Sequence, residues 1–255
     1  MFNLIITEFI KLKRYSVFWI GVAAVLFATL LAVFQTGTQG GIISYEVFSN
    51  NVIWNNFSLA FPFFIVLLGG FLIDREYTDD TFKMMLTVPV SFRKMIFAKL
   101  IVTGLLTVLF GIFSFLCTVL SAILILHCYA ITSVGLGRSL IQICGIALAN
   151  FLAVSPLIAW FGKRRGSFFA GVAIAFFYGF CGIFAAGRKL TDLYPVTAGL
   201  NLVGYTGQEK MVNQPLVGGI VLILMIIITL VIIAFAPTYD RVMSVPQKGG
   251  KKNRR

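Results

Sequence analysis

Residues 74–99 read DREYTDDTFKMMLTVPVSFRKMIFAK, and their meaning decides how the whole chain folds. The stretch holds five Lys/Arg and four of the nine Asp/Glu in the chain, yet it lies between two runs of almost unbroken hydrocarbon side chains. Over its 255 residues the chain is 59% hydrophobic and 12% charged, where a soluble domain carries about 25% charged residues. Such a chain cannot close a water-soluble globule, so it reads as a membrane protein. The charged stretch is then a connection between two membrane crossings.

A spanning helix needs about 20 mostly apolar residues. Six runs meet that length, at roughly 17–36, 52–73, 96–126, 139–161, 168–186 and 215–235. The third is long for one crossing, so its first turns, with Lys94 and Lys99, are expected to stand outside the hydrocarbon. Basic residues in the connections set the orientation. With the N-terminus inside, 17 of the 21 Lys/Arg fall on the inner side, and only Arg138, Arg188, Lys189 and Lys210 fall outside. The pattern predicts an all-α membrane protein with six transmembrane helices, N-in and C-in, forming a single domain over residues 1–255. Topology absorbs most of the net charge of +12, which leaves no need for nucleic acid as a partner. The basic tail 237–255 is expected to anchor on lipid headgroups.

Phe2, Ile5, Ile6, Phe9 and Ile10 recur at the spacing of a one-sided helix, so residues 1–14 are expected to lie as a helix in the membrane interface. Cys117, Cys128, Cys144 and Cys181 have no metal-ligand spacing and read as unpaired packing residues. No run carries an acid or base near its centre. The ionisable groups that an ion-coupled pump or an intramembrane hydrolase requires are therefore missing from the spans. His127, at the outer end of the third run, reads as an interfacial histidine. Gly171, Ala175 and Gly179 repeat every four residues and form a small-residue face for packing against another helix, in this chain or in a second copy. Gln142 and Asn150 are amides that hydrocarbon will not solvate; they read as interhelical hydrogen-bonding groups or as the lining of a pathway. The connection 187–214, with Pro195, is expected to be a loop or a re-entrant hairpin.

Within residues 74–95 a short helix is outlined. Thr78, Asp79 and Asp80 suit a helix start, because short oxygen-bearing side chains cap free N–H groups and carboxylates favour the positive end of the helix dipole. A helix over about 79–87 places Phe82, Met85 and Leu86 on one face, and Pro89 stops it. A one-sided helix at the membrane surface needs a partner for its apolar face. That partner is either the inner ends of the spans or a separate soluble subunit.

Glu76, Thr81, Leu86, Pro89, Val90, Ser91, Arg93 and Lys99 together resemble the pattern of ABC-2 type permeases. In that pattern an acid and a threonine precede a leucine-rich turn, a P-V-S-R-like stretch and a lysine leading into the third span. Phe92 sets Arg93 one residue later than the commonest form of the motif. The opening EFIKLKR, residues 8–14, is similar to the start of the bacitracin and lantibiotic immunity branch of those permeases.

The resemblance implies that the helix after the second span is a coupling helix, docked on a separate ABC ATP-binding cassette subunit that holds ATP and Mg. Its contact residues would be Glu76, Thr81, Phe82, Met85, Leu86, Pro89 and Arg93. It also implies a second permease copy or a related permease, a bacterial plasma membrane location, and export of a peptide antibiotic for resistance or self-immunity. The residues agree independently that this chain is not itself an ATPase. It has no G-x-x-x-x-G-K-[ST] loop, and the nearest stretch, GIFAAGRK at 182–189, has arginine where the lysine belongs. A permease for another cargo (lipid, drug or sodium) and a scaffold that transports nothing are the alternatives.

Overall fold

The computed structural model describes residues 6–7, 16–38, 43–78, 92–163, 166–186, 190–205 and 214–236. Of the expected interfacial helix only residues 6 and 7 are described, both helical; the expected coupling helix at 79–87 and the basic tail lie outside the described residues. Among the described residues all regular structure is helical. Six helices among the described residues are long and apolar enough to cross a membrane: Val17–Gly37, Tyr45–Tyr77, Phe92–Leu124, Ser133–Phe161, Phe168–Ala186 and Pro215–Ala234, here spans 1 to 6. The all-α, six-span expectation therefore holds, with shifted boundaries.

Span 2 is the axle of the bundle. Of its most apolar window 78% is buried, against 22% for span 6 and 33% for span 1, so it runs through the middle while those two present most of their surface to lipid. The sequence placed its start near residue 52, but the helix begins at Tyr45, behind the N-cap Ser44. The first half of the helix carries amides, which hydrocarbon would reject unless paired. Each finds a partner on a neighbouring span. Asn51 donates to Thr36 Oγ1 (2.9 Å), Asn55 pairs with Gln35 Oε1 (3.0 Å), and Asn56 donates to Ser114 Oγ (2.8 Å).

The same span is interrupted by a π-helical turn, Asn56–Ala60, between the α-helical pieces Tyr45–Asn55 and Phe61–Thr78. Pro62 explains it. Proline has no N–H for the Ser58 carbonyl four residues back, and its ring presses on that carbonyl. The ladder widens, so that the Phe61 N–H bonds to Asn56 O, five residues back. The Ser58 hydroxyl donates to Trp54 O at 2.7 Å, and Gly179 of span 5 closes over the Ser58 carbonyl. Pro156 in span 4 is accommodated without a π-helical turn: Ser155 Oγ donates at 2.9 Å to Leu152 O, the carbonyl four residues before the proline, and meets Thr229 Oγ1 of span 6 at 2.8 Å.

At the end remote from residues 74–99, the backbones of Ile43, Tyr45 and Tyr129 exchange hydrogen bonds, and the Tyr45 hydroxyl meets Ser139 Oγ at 2.7 Å. His127 and Ala130 here adopt left-handed φ angles of 45° and 57°. The connection expected to be a loop or re-entrant hairpin contains a short buried helix, Pro195–Leu202, with proline in its first turn where no N–H is needed. It packs against spans 4 and 6: a Cβ on Gly218 would lie 2.8 Å from the Ala198 carbonyl oxygen, so the two backbones nearly touch. Burial pushes the Tyr205 hydroxyl, just past this helix, up to about 12.

Candidate functional site: the charged end of span 2

The last two turns of span 2 project polar side chains to two sides, because at roughly 100° per residue Asp74 and Tyr77, three residues apart, share a face from which Glu76 points away. Glu76 turns toward span 3. Its carboxylate takes a hydrogen bond from Lys99 Nζ at 3.0 Å, and both residues are almost wholly buried, at 3% and 1% exposure. The sequence expectation had Lys99 standing in the aqueous first turns of span 3. The structure instead puts it inside the bundle, since span 3 begins at Phe92 and Lys99 sits two turns in. A buried ammonium is tolerable only with a counter-charge and satisfied protons, and Glu76 supplies the counter-charge.

Above Lys99, Thr103 donates to Lys99 O and Thr107 to Thr103 O, each at 2.8 Å. The hydroxyls are thereby satisfied within span 3 itself, as is usual for threonines facing a helix interior.

Asp74 and Tyr77 turn to the other side, toward the connection between spans 4 and 5. Gly166 N–H donates to Asp74 Oδ1 at 2.6 Å, and the Tyr77 hydroxyl donates to Gly162 O at 3.0 Å. Gly166 has φ of +70°, which glycine adopts without cost. The Tyr77 ring also stacks edge-on with Phe92, the first residue of span 3, at 6.4 Å. Lys163, in the same connection, lies over the Trp160 ring at 5.4 Å, and partial burial lowers its affinity for the proton.

Of the residues expected to meet an ATPase, Glu76 is thus directed into the bundle, whereas Arg93 is exposed at the start of span 3. Thr81, Phe82, Met85, Leu86 and Pro89 lie outside the described residues. The small-residue face is covered by this chain. A Cβ on Gly171 would meet the Phe161 ring at 2.9 Å, Ala175 is fully buried, and a Cβ on Gly179 would meet Ser58 O at 2.6 Å and Pro62 at 2.8 Å.

Gln142 donates to Gly204 O at 2.8 Å and so fastens span 4 to the connection that precedes span 6. Asn150 is fully buried and donates to Ile146 O at 3.0 Å, while its Oδ1, like that of Asn56, meets no donor among the described residues. Sequence reasoning missed the Glu76–Lys99 pair and the amides at 51, 55 and 56. The visible signal was an acid and a lysine at the two junctions between the charged connection and the apolar runs.

No curated protein matches the chain. A family model described as ABC-2 family transporter protein matches residues 4–182, more than two thirds of the sequence, including all of spans 1 to 4 and the charged connection. The chain therefore belongs to the ABC-2 family of transporter proteins, as a multi-pass membrane permease that normally works with an ATP-binding cassette subunit.

Proposed function

We propose that this chain is the permease subunit of an ATP-driven exporter that protects a bacterial cell against a peptide antibiotic of the bacitracin or lantibiotic type. One observation carries the mechanical part. The ends of spans 2 and 3 are locked to each other by a buried ion pair, Glu76–Lys99, so whatever pushes on the segment between them moves two spans together. In this reading the basic end of the bundle faces the cytoplasm. Residues 79–87 form the coupling helix, whose apolar face, Phe82, Met85 and Leu86, seats in a groove of the cassette subunit. ATP-driven closure of two cassettes then tilts spans 2 and 3 of two permease copies and changes access to a path between them.

Two copies are needed because six spans, with spans 1, 3, 4 and 5 packed around span 2, are too few to enclose a path for a bulky peptide inside one protomer. The antibiotic cargo is supported by the resemblance of residues 8–14 to the immunity branch. The experiment is a Phe82→Asp substitution in a strain carrying the permease and its cassette subunit. It is expected to lower the tolerated bacitracin or nisin concentration by about tenfold or more, to that of the strain without the permease, because a carboxylate in an apolar docking groove costs several kcal/mol. Unchanged tolerance to both peptides in the parent and deletion strains would shift the cargo to another class; unchanged tolerance in the Phe82→Asp strain alone would remove the docking helix.

A further inference from the structure

The cytoplasmic connection between spans 4 and 5 is only a few residues long, and a connection of this kind needs no bonds to any other span. It is nonetheless bound along one face of span 2. Gly70, Ile73, Asp74 and Tyr77 are spaced three, one and three residues apart, the i, i+3, i+4, i+7 stripe of a single helix face. Each touches the connection or the first residue of span 5. A Cβ on Gly70 would sit 2.9 Å from Phe168, a Cβ on Gly162 would sit 2.7 Å from Ile73, Asp74 accepts from Gly166 N–H, and Tyr77 donates to Gly162 O.

The connection is also closed on itself. Ser167 Oγ donates to Phe161 O at 2.5 Å, Gly162 N–H donates to Ile158 O at 2.9 Å, and Gly171 N–H donates to Ser167 O at 3.3 Å. The described ends of the connection are held to each other, Ser167 to Phe161, so a displacement of span 2 is carried onward. The connection passes that displacement to the residue that follows, Phe168, where span 5 begins.

We propose that Asp74 and Tyr77 are positioning residues that tie span 5 to the coupling segment, so that a push delivered after residue 78 reaches span 5 through this tether and span 3 through Glu76–Lys99. The proposal depends on the ATP-driven reading given above. Span 2 then works as a two-armed lever. Its Glu76 arm drives span 3, and its Asp74 and Tyr77 arm drives span 5. The hydrogen bonds on the second arm end on main-chain atoms, which removes the slack that a side-chain partner would introduce.

The test uses the full permease assembled with its cassette subunit in lipid nanodiscs. Cys181, an exposed free thiol near the far end of span 5, is kept as the sole cysteine in one reporter, and a cysteine at Phe97, exposed on span 3, is the sole cysteine in a second. The rate of alkylation by N-ethylmaleimide is measured without nucleotide and after trapping with ATP and vanadate. In the parent complex trapping is expected to change both rates by about threefold or more, as spans shift their lipid and protein contacts. In Asp74→Ala with Tyr77→Phe the change at residue 181 is expected to disappear while that at residue 97 persists.

Asp74→Asn, which keeps an acceptor oxygen for Gly166, is expected to retain both changes. Should the double variant fail to assemble, Tyr77→Phe alone, which removes one hydroxyl, is expected to reduce the change at 181 by about half. A double variant that keeps the response at 181, or loses it equally at 97, overturns the tether, as does a parent complex that responds at 97 alone. A parent complex that responds at neither site overturns the ATP-driven reading itself.

Discussion

Replacing Glu76 by alanine is expected to destabilise the purified permease by about 3–5 kcal/mol, because it takes the Glu76 counter-charge away from an ammonium that lies in the interior. The two charges are 3.0 Å apart and almost fully enclosed, so water cannot take over the role of the missing carboxylate. Lys99→Met alone is expected to cost a similar amount, since a lone buried carboxylate is as poorly solvated as a lone ammonium. The double variant Glu76→Leu with Lys99→Met is expected to recover most of the loss, because a buried ion pair contributes little net stability over a well-packed apolar pair. Denaturant or thermal unfolding in detergent measures all three. Near-additive single losses in the double variant would mean that the pair does not act as a unit.

The second large effect is expected at Gly179. Span 5 crosses span 2 at the π-helical turn, and a Cβ there would sit 2.6 Å from the Ser58 carbonyl oxygen and 2.8 Å from the Pro62 ring. Both are fixed, one as main chain and the other as a ring, so the helices must part. Gly179→Ala is expected to cost about 1–3 kcal/mol despite alanine's better helix propensity. Gly179→Leu is expected to prevent recovery of folded protein. Gly37→Ala, where a Cβ would meet nothing within 4 Å among the described residues, is the control and is expected to leave stability unchanged or slightly raised. Equal yield and melting behaviour for Gly179→Leu and Gly37→Ala would contradict the observed crossing.

Much of this architecture was legible in the sequence because the bilayer imposes a single length on any crossing, and runs of that length are hard to miss. What escaped is polar. Asn51 fell just outside the run read as span 2, and Asn55 and Asn56 inside it drew no reading, but Thr36, Gln35 and Ser114 satisfy all three from neighbouring spans and the helix runs through them. Span 2 starts at Tyr45, behind the N-cap Ser44, and not at residue 52. The small residues 171, 175 and 179 announced a close helix contact, but not with what. The partner surface is a π-turn created by Pro62, and a π-turn leaves no periodic trace in sequence. The helix Pro195–Leu202 was hidden because eight residues are too few for a period to stand out, and its burial comes from glycines 199 and 218 lying on alanine and backbone.

At the candidate site, the charged character of residues 74–99 was plain, while the use of individual charges was not. Glu76 and Lys99 are 23 positions apart across a connection, so no helical or strand spacing links them. The sequence assigned Glu76 to an external partner, and its carboxylate in fact binds Lys99 within the chain. In the proposed mechanism its part is then to hold spans 2 and 3 together while Phe82, Met85 and Leu86 make the outward contact. Asp74 was counted only as one of the four acids of the stretch, yet it holds the backbone of Gly166.

The most direct measurement is photo-cross-linking in the native membrane from p-benzoylphenylalanine placed at position 82. If the segment after span 2 is the peg on which an ATPase acts, irradiation yields an adduct between the permease and its cassette subunit, and its yield changes when ATP and vanadate are added. A label at 82 that couples only to lipid or to its own chain, while the cassette subunit still copurifies, would contradict the account.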